Sequence, residues 1–472
     1  MSLTDLAPEL TDSIVDFLHD DPLSLKALSV TCNRFLPACR FHLFSELALE
    51  SGKLRGKTFP ATLTPLVKRV RLSPGYPTTG SFTALPLFAF GSPTIPPPLT
   101  GPQLRQCINN IQSPHVEFNG VKTSADHALF TAVVTSDLKH SATSFSLNGC
   151  CVDSEDLVTL CYALPRVEAL RISALTFDKS RATIRKVERA VPVPMGFFVP
   201  FATSTSDWSS FSESMTSTIK SRRLHLKELV VEGTRWTSEL CESLVGLVAR
   251  IDESVKLTLR AQLPDVPPSP FGDSHDGQPN GQDAIEEQLR LFTRFLEICG
   301  AKIDRLDVRL GNGAVCDLFP AEPNKSLNSQ VESENGSNGG DVIQGGIGLS
   351  VDTGLGSVLE HCPRLEALRL SGPLCSAEII KEVIQGVQSA PGYLPSLRVL
   401  GLGPVGAGVS WSDVSHVLGI AGTGLETVVI AEGDFRVTPA DDQCLALEKF
   451  AELRSRGLDV VFAEHRHVGD LL

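Results

Sequence analysis

Several features that place a chain in a familiar class are missing from this sequence of 472 residues. No apolar run reaches the roughly 18 residues that a membrane-spanning helix needs. The first residues carry the acids Asp5, Glu9 and Asp12 rather than a basic segment followed by an apolar one, so we expect no secretory signal peptide. These absences predict a protein without a membrane partner.

An excess of basic residues is also missing, since 42 lysines and arginines face 55 aspartates and glutamates and leave a net charge of −13. Such a chain binds phosphate backbones poorly in general, so nucleic acid is not the expected partner. The 12 cysteines form no C-x-x-C pair, and the adjacent Cys150 and Cys151 cannot easily bond each other. Scattered free thiols indicate a reducing compartment, which predicts the cytoplasm or the nucleus.

Catalytic and metal-binding signatures are missing or incomplete. The sequence holds no G-x-S-x-G or H-E-x-x-H motif and no pair of carboxylates to which a reaction can be assigned. The imidazoles of EHRH at 464–467 lack companion ligands, and GKLRGKT at 52–58 has one residue too few between its glycines to bind phosphate. We therefore predict no enzymatic activity, no cofactor and no metal.

One motif favours an enzyme. Gly401, Gly403 and Gly406 form G-x-G-x-x-G directly after a predicted strand, and Glu432 follows where an acid would bind a ribose. The chain left after Gly406 is short for a second nucleotide-binding half, and the next helix is expected to begin near Ser410, beyond the glycines. An NAD(P)-dependent oxidoreductase is therefore an alternative, and a tight turn within a repeat is the preferred interpretation.

A recurring pattern, apolar-x-x-apolar-x-apolar, runs through most of the chain. It occurs at Val67/Val70/Leu72, Val167/Leu170/Ile172, Leu226/Leu229/Val231, Ile303/Leu306/Val308, Leu365/Leu368/Leu370, Leu397/Leu400/Leu402 and Leu425/Val428/Ile430. Weaker versions occur at 145–147, 257–259 and 460–462. The last copies recur every ~28–32 residues, near the upper end of the spacing of leucine-rich repeats.

Helices are predicted between these patterns, for example at 376–388 and at 443–457, and in the latter Leu445, Leu447, Phe450 and Leu453 are expected to face the core. One strand-turn-helix unit cannot bury its own apolar face, whereas stacked units can, and their strands then line one surface. The predicted fold is therefore α/β, with an irregular leucine-rich-repeat solenoid. An ordinary α/β domain with parallel strands is the alternative.

The chain divides into regions of different composition. Residues 49–110 are predicted to be a linker with a first irregular repeat, and residues 111–472 the solenoid itself. Flexible insertions are predicted near 193–222, 262–283 and 311–346, because these stretches carry too little apolar area to offset the entropy of ordering.

Residues 1–48 are predicted to be a separate helical module. The first helix, at 8–19, has Pro8 in its first turn and places Leu10, Ile14, Phe17 and Leu18 on one face. A second helix is expected from Pro22 until Pro37 ends it, and a third at 38–44. Three short helices enclose little interior, so this module is predicted to be marginal without a partner.

Residues 5–44 resemble the F-box, a helical module of about forty residues. The resemblance is carried by DLAPEL, SIVDFL, SLKALSVTCNRF and ACRFHLF. The sequence departs from the family pattern where Ala7 splits the usual Leu-Pro, where Asn33 replaces an arginine and where Phe35 replaces a tryptophan. The resemblance implies an adaptor-binding set that consists of Leu6, Pro8, Glu9, Leu10, Ile14, Phe17, Leu18, Leu25, Leu28, Cys32 and Phe35.

The resemblance also implies a function. F-boxes bind the Skp-type adaptor of a cullin-RING ubiquitin ligase, and in one class of F-box proteins leucine-rich repeats bind the protein substrate. The chain is therefore expected to be the substrate-recognition subunit of an SCF-type ligase, contributing proximity while ubiquitin transfer occurs elsewhere in the complex. A leucine-rich-repeat interaction scaffold without a role in degradation is the alternative.

Overall fold

The structure is a computed structural model that describes residues 6–50, 59–74, 101–122, 126–177, 223–263, 281–311, 358–372, 375, 379–381, 383–384, 394–403, 410–420, 425–431 and 440–463. Its α-helices are α1 (Pro8–Phe17), α2 (Pro22–Thr31), α3 (Leu36–Ser45), α4 (Gly101–Ile108), α5 (His127–Thr135), α6 (Leu138–Ser141), α7 (Ser154–Ala163), α8 (Ser238–Val248), α9 (Gly281–Cys299), α10 (Trp411–Ile420) and α11 (Ala440–Ser455). Short 3-10 helices occur at Thr64–Leu66 and Gly300–Lys302.

The strands alternate with these helices along most of the chain. They are β1 (Glu46–Glu50), β2 (Arg69–Ser73), β3 (His115–Asn119), β4 (Ser144–Asn148), β5 (Cys151–Val152), β6 (Ala169–Ser173), β7 (Thr176–Phe177), β8 (Glu228–Glu232), β9 (Leu257–Leu263), β10 (Ile303–Leu310), β11 (Ala367–Ser371), β12 (Val399–Leu402), β13 (Thr427–Ala431) and β14 (Asp459–Ala463).

Several predicted features lie outside the described residues. They are the insertion at 193–222, most of the insertion at 262–283, all but the first residue of the insertion at 311–346, the motifs at 52–58 and 464–467, Gly406 and Glu432. At the ends of the second insertion, β9 continues through Leu263 and α9 begins at Gly281.

The chain falls into two units by its internal contacts. The first comprises residues 1–264, 294–307 and 361–366, and its main sheet has the order β1-β2-β3-β4-β6-β8-β9-β10. The second comprises residues 265–293, 308–360 and 367–472, and contains the end of β10 followed by β11-β12-β13-β14. Strands β5 and β7 form a separate parallel pair.

From β1 to β9 and from β11 to β14, neighbouring strands of the main sheet pair in parallel, and they follow the order of the chain. In the first unit one row of the sheet is formed by Val70, Val116, Phe145, Leu170, Leu229 and Leu259. Each of these side chains is at most 1% exposed. A buried side chain of this size contributes about 1.5–3 kcal/mol. The prediction of an α/β fold with stacked, parallel repeat strands is thus confirmed.

Two strands of the sheet escape the sequence pattern. In β3, Val116 and Phe118 fill the last two apolar positions, but the first is the buried Ser113, whose hydroxyl donates to the carbonyl of Lys68 at 2.8 Å. In β1, Phe44 supplies the first apolar position although it belongs to α3. Both strands are therefore hard to recognise in the sequence, because one repeat has a polar residue at its first position and the other begins inside a helix.

A residue with a positive φ directly follows seven strands of the main sheet. The positions are Gly120, Gly149, Ala174, Gly233, Gly311, Gly372 and Gly403. At Gly403 φ is +110°, a backbone conformation that glycine adopts without a steric penalty. Gly403 therefore belongs to the turn that the other repeats share.

Two predictions about helices are wrong. Pro37 lies in the first turn of α3, whereas α2 already ends at Thr31. In α11, Leu445 and Leu447 are 56% and 47% exposed, while Ala446, Phe450 and Leu453 are buried. The buried residues recur at intervals of three and four, the helical spacing, so the core-facing stripe includes an alanine that the apolar pattern undervalued.

Candidate functional site

The three N-terminal helices share a small core. Val15, Leu25, Phe35 and Cys39 are at most 1% exposed, and they are packed against the partly buried Leu18, Leu28, Cys32, Ala38 and Leu43. The side chains come from all three helices, so the core holds the module together by mutual burial. Four fully buried side chains are few, which leaves much of the apolar surface of the module outside.

Local signals fix where these helices begin. Pro8 occupies the first turn of α1, where its missing N–H breaks no helical hydrogen bond. The Asp21 carboxylate caps α2 by accepting hydrogen bonds from the backbone N–H groups of Leu23 and Ser24. The hydrogen bonds from Ser24 lower the pKa of Asp21, so the cap is charged at neutral pH. His42 of α3 lies 2.8 Å from the carboxylate of Asp16 of α1.

The apolar face predicted for α1 points away from this core. Leu10, Ile14 and Phe17 are 54%, 37% and 88% exposed, while Thr11 and Val15 face inward. The exposed side chains border an open apolar groove of about 390 Å³, which is lined by Leu6, Leu10, Ser13, Ile14, Phe17 and Leu18. The helix therefore presents an apolar row to the outside and uses its opposite side for the core.

The eleven predicted adaptor-binding residues fall into three groups. The exposed ones are Pro8, Glu9, Leu10, Ile14 and Phe17; the partly buried ones are Leu6, Leu18, Leu28 and Cys32; the buried ones are Leu25 and Phe35. The structure brings five of them together around the groove on α1. Leu25 and Phe35 instead form part of the core of the module.

The structure adds three exposed apolar side chains that the predicted adaptor-binding set does not include. Leu23 and Val30 of α2 are 75% and 83% exposed, and Phe41 of α3 is 43% exposed. Leu23 and Val30 are seven residues apart, the spacing of two helical turns, so they lie on one face of α2. That spacing was readable from the sequence, but Leu25, Leu28 and Cys32 already accounted for an apolar face of this helix.

A second candidate surface is the open face of the sheet in the first unit. It carries a groove of about 610 Å³ that extends from β2 to β8. Arginines and glutamates line it, together with His115 and the small polar side chains of Ser144, Ser146 and Asn148 on β4. Burial and the nearby Arg69 lower the pKa of His115, so this imidazole is neutral at pH 7. We call this surface the sheet groove.

Most of the charged side chains at the sheet groove are paired. Arg71 lies 2.5 Å from Glu46 and 3.2 Å from Glu117. Lys227 lies 2.9 Å from Glu168, and Arg260 lies 3.2 Å from Glu228. These pairs are partly exposed, so each contributes little stability, and their main effect is to hold the charges in a fixed pattern.

In the second unit the sheet carries a small apolar cluster. Val429 and Ala431 of β13 and Ala463 of β14 are 1%, 2% and 9% exposed and form a cluster with Val399.

The geometry around Gly401 and Gly403 disfavours a dinucleotide site. Gly401 lies inside β12, paired with Arg369 and Val429. The first backbone N–H groups of α10 already donate to the Asp442 carboxylate, from Trp411 at 2.8 Å and from Ser412 at 3.0 Å. A pyrophosphate needs those N–H groups and would meet a negative charge in their place. Strands in chain order also lack the reversal at which dinucleotides bind.

Searches for two further kinds of site gave negative results within the described ranges. There, no three or more His, Cys, Asp or Glu side chains are grouped so that they could hold a metal ion. Among the helices of those ranges, none combines the length and the apolar character that crossing a membrane requires.

Comparison with known proteins identifies no family. No family model matches the chain, and no curated protein matches it. Among solved structures, the leucine-rich repeat-containing protein LegL7 from Legionella pneumophila is similar at 13% sequence identity and a TM-score of 0.37, over 86% of this chain and 98% of that chain. The fold assignment therefore rests on the strand order and register described above.

Proposed function

We propose that this chain is the substrate-recognition subunit of an SCF-type cullin-RING ubiquitin ligase. In this proposal the helices of residues 1–48 bind the Skp-type adaptor, and the sheet binds a protein substrate. The observation that carries it is the outward apolar row of α1, formed by Leu10, Ile14 and Phe17. The chain would perform no chemistry and would act by holding the substrate near the transferring enzyme.

An apolar row at positions i, i+4 and i+7 of a helix is the pattern by which a helix binds in a groove of its partner. Exposed apolar side chains that adjoin one another are uncommon on monomers and mark surfaces for association. Phe17 is the largest of the three and the most exposed, at 88%. In the complex, Leu25 and Phe35 would support this surface from inside the module rather than contact the adaptor.

The scaffold alternative uses the same sheet but gives the helical module no adaptor. It is supported by the polar open face of the sheet in the first unit, which suits a protein partner. Both functions are compatible with the cytoplasm or the nucleus, because eight of the eleven cysteines in the described ranges are buried free thiols. Only the ligase function requires adaptor binding, so a measurement of that binding distinguishes it from the scaffold function.

The test is a pull-down of the purified Skp-type adaptor by the full-length chain. The variant Ile14→Asp/Phe17→Asp places two charges on the outward row, where neither side chain contributes to the core. We expect its affinity for the adaptor to fall at least about tenfold, since burying an unpaired charge costs more than 1.4 kcal/mol. Circular dichroism checks that the helices remain folded.

A matched control is Leu445→Asp on α11, because the exposure of this leucine, 56%, lies between those of Ile14 and Phe17. Adaptor binding should be unchanged in this variant. If the wild-type chain does not bind the adaptor, or if the double variant binds it as tightly as the wild type, the ligase function is wrong.

A further inference from the structure

The sheet groove contains an arginine that its neighbours leave unpaired. Arg171, in the middle of β6, is exposed and makes no ion pair or hydrogen bond through its side chain with any part of the chain that the structure describes. Around it, Arg71, Glu117 and Glu228 are already paired, as described above. A guanidinium is always protonated, so Arg171 offers a permanent positive charge to a ligand.

The position of Arg171 is set by the strand register. It lies beside Ser146 of β4 and Val230 of β8. Ser144, Ser146 and Asn148 form a floor of short polar side chains next to it. Hydroxyl and amide groups can donate to and accept from the backbone of a bound chain. The groove therefore combines one charged contact with a row of neutral hydrogen-bonding groups.

The size of the groove suits an extended segment of protein. It spans five neighbouring strands, which at about 4.8 Å per strand extends roughly 19 Å. An extended chain covers that distance with about six residues. The volume of about 610 Å³ is in the usual range for specific sites.

The charge balance of the groove excludes a strongly acidic ligand. Three arginines and four glutamates line it, and among these Glu232 of β8 forms no ion pair with the residues that are described. A run of acids or a nucleic acid would place further negative charge beside Glu232, whose charge no described base offsets. The sheet groove is therefore complementary to a segment of protein that is neutral apart from one Asp or Glu opposite Arg171.

We infer that the sheet groove binds an extended, otherwise neutral segment of a protein substrate, with the carboxylate of a single Asp or Glu paired to Arg171. This inference rests on the proposed function only in taking the bound segment to belong to a substrate. A planar guanidinium can donate two parallel hydrogen bonds to a carboxylate, which gives the contact both strength and direction.

The experiment selects binders to the full-length chain from a displayed library of random ten-residue peptides. We expect the enriched peptides to share one Asp or Glu at a fixed position among neutral residues. Selection on Arg171→Glu should replace that acid by Lys or Arg. Selection on Arg166→Glu, which changes an exposed arginine outside the groove, should give the same preference as the wild type.

A synthetic peptide from this selection then allows a double-mutant cycle. Changing its acid to the amide, or changing Arg171→Gln, should each weaken binding about tenfold, and the two changes together should weaken it little further. Failure to enrich any peptide, enrichment of runs of acids, or an unchanged preference on Arg171→Glu would each overturn the inference.

Adaptor binding is measured on the same variants, so the two proposals fail separately. Arg171→Gln should bind the adaptor as the wild type does. Loss of the adaptor interaction in the wild-type chain would leave the peptide selection interpretable on its own.

Discussion

At the scale of single residues, one buried acid joins distant parts of the first unit. The Asp304 side chain is 4% exposed and accepts hydrogen bonds from the backbone N–H of Leu257 at 2.8 Å and from the guanidinium of Arg364 at 2.8 and 3.1 Å. Arg364 also donates to the carbonyl of Glu253 at 3.1 Å. Asp304 and Arg364 thus hold together residues that are separated by sixty positions of the chain.

Replacing Asp304 by alanine should destabilise the first unit strongly. The change removes the carboxylate partner of the Arg364 guanidinium and leaves the buried N–H of Leu257 without its acceptor, and an unsatisfied buried donor costs about 1–3 kcal/mol. Urea unfolding followed by circular dichroism measures the loss. Lys227→Ala, which removes one partner of the exposed pair with Glu168, should cost less than about 1 kcal/mol. Equal costs for the two variants would contradict this account.

Gly372 illustrates a residue whose importance comes from its surroundings. Its φ is +102°, and a Cβ atom there would lie 2.1 Å from the carbonyl oxygen of Leu310. Gly457 has a similar φ of +96°, but a Cβ atom there would meet nothing within 4 Å. A sequence shows both as glycines near the end of an element, and only the folded chain shows which one has backbone against it.

We therefore expect Gly372→Ala to be much more destabilising than Gly457→Ala. Gly457→Ala should cost only the strain of an alanine held at a positive φ, about 1–2 kcal/mol. The first must also displace the backbone at Leu310, which should bring its cost to about 3 kcal/mol or more. Thermal unfolding of both variants beside the wild type makes the comparison, and similar melting temperatures for the two would show that the backbone moves apart without cost.

At the scale of elements, helix ends depend on contacts that come from elsewhere in the chain. The start of α10 was expected near a Ser410-x-x-Asp413 box, and α10 does begin at Trp411. Its N–H groups, however, donate to Asp442, which belongs to the first turn of α11. Burial raises the pKa of Asp442, but hydrogen bonds from Ser412, Trp411 and Ser410 outweigh this and lower the pKa overall.

Asp442→Ala should cost about 1 kcal/mol, the usual loss when a helix loses its N-terminal cap. Because the folded pKa is lowered, the contribution is present above the ordinary value of 3.8 and is lost as the pH falls through the lowered value. The difference in unfolding free energy between wild type and variant should therefore shrink in strongly acidic solution. Asp441→Ala, at the exposed neighbouring position, serves as the control and should show no such difference.

At the scale of the whole molecule, the parallel sheet builds from neighbour to neighbour. In the first unit every strand of the main sheet from β2 to β9 has a partner on both sides, whereas β1, among the strands that are described, pairs only with β2. The edge strand begins and ends with Glu46 and Glu50, charged residues of the kind that discourage pairing with another molecule. Strands that are held on one side open more easily than those held on both.

Hydrogen exchange should follow this order. The amides of β4, at 144–148, should exchange at least about tenfold more slowly than those of β1, at 46–50, because β1 can open without breaking the rest of the sheet. Exchange monitored by mass spectrometry on peptides from the two strands provides the measurement. Equal protection of the two strands would mean that the first unit opens only as a whole.

The sequence by itself determined the repeat and therefore the fold class, because the spacing of apolar residues along each strand is a local property that stacking preserves. It also determined the existence and approximate bounds of the three N-terminal helices, through prolines and apolar spacing. It could not predict β1 and β3. The first apolar position of β1 is Phe44, which lies in α3, and that of β3 is Ser113, whose buried hydroxyl donates to a backbone carbonyl forty-five residues away.

Only the tertiary structure decided which way the apolar faces point. Leu10, Ile14 and Phe17 face outward because Val15 on the other side of α1 fills the small core with Leu25, Phe35 and Cys39. Likewise, among the described residues Arg171 forms no ion pair, since Glu117 and Glu228 on nearby strands pair with Arg71 and Arg260. Both decisions depend on contacts between residues far apart in the chain, which no local pattern encodes.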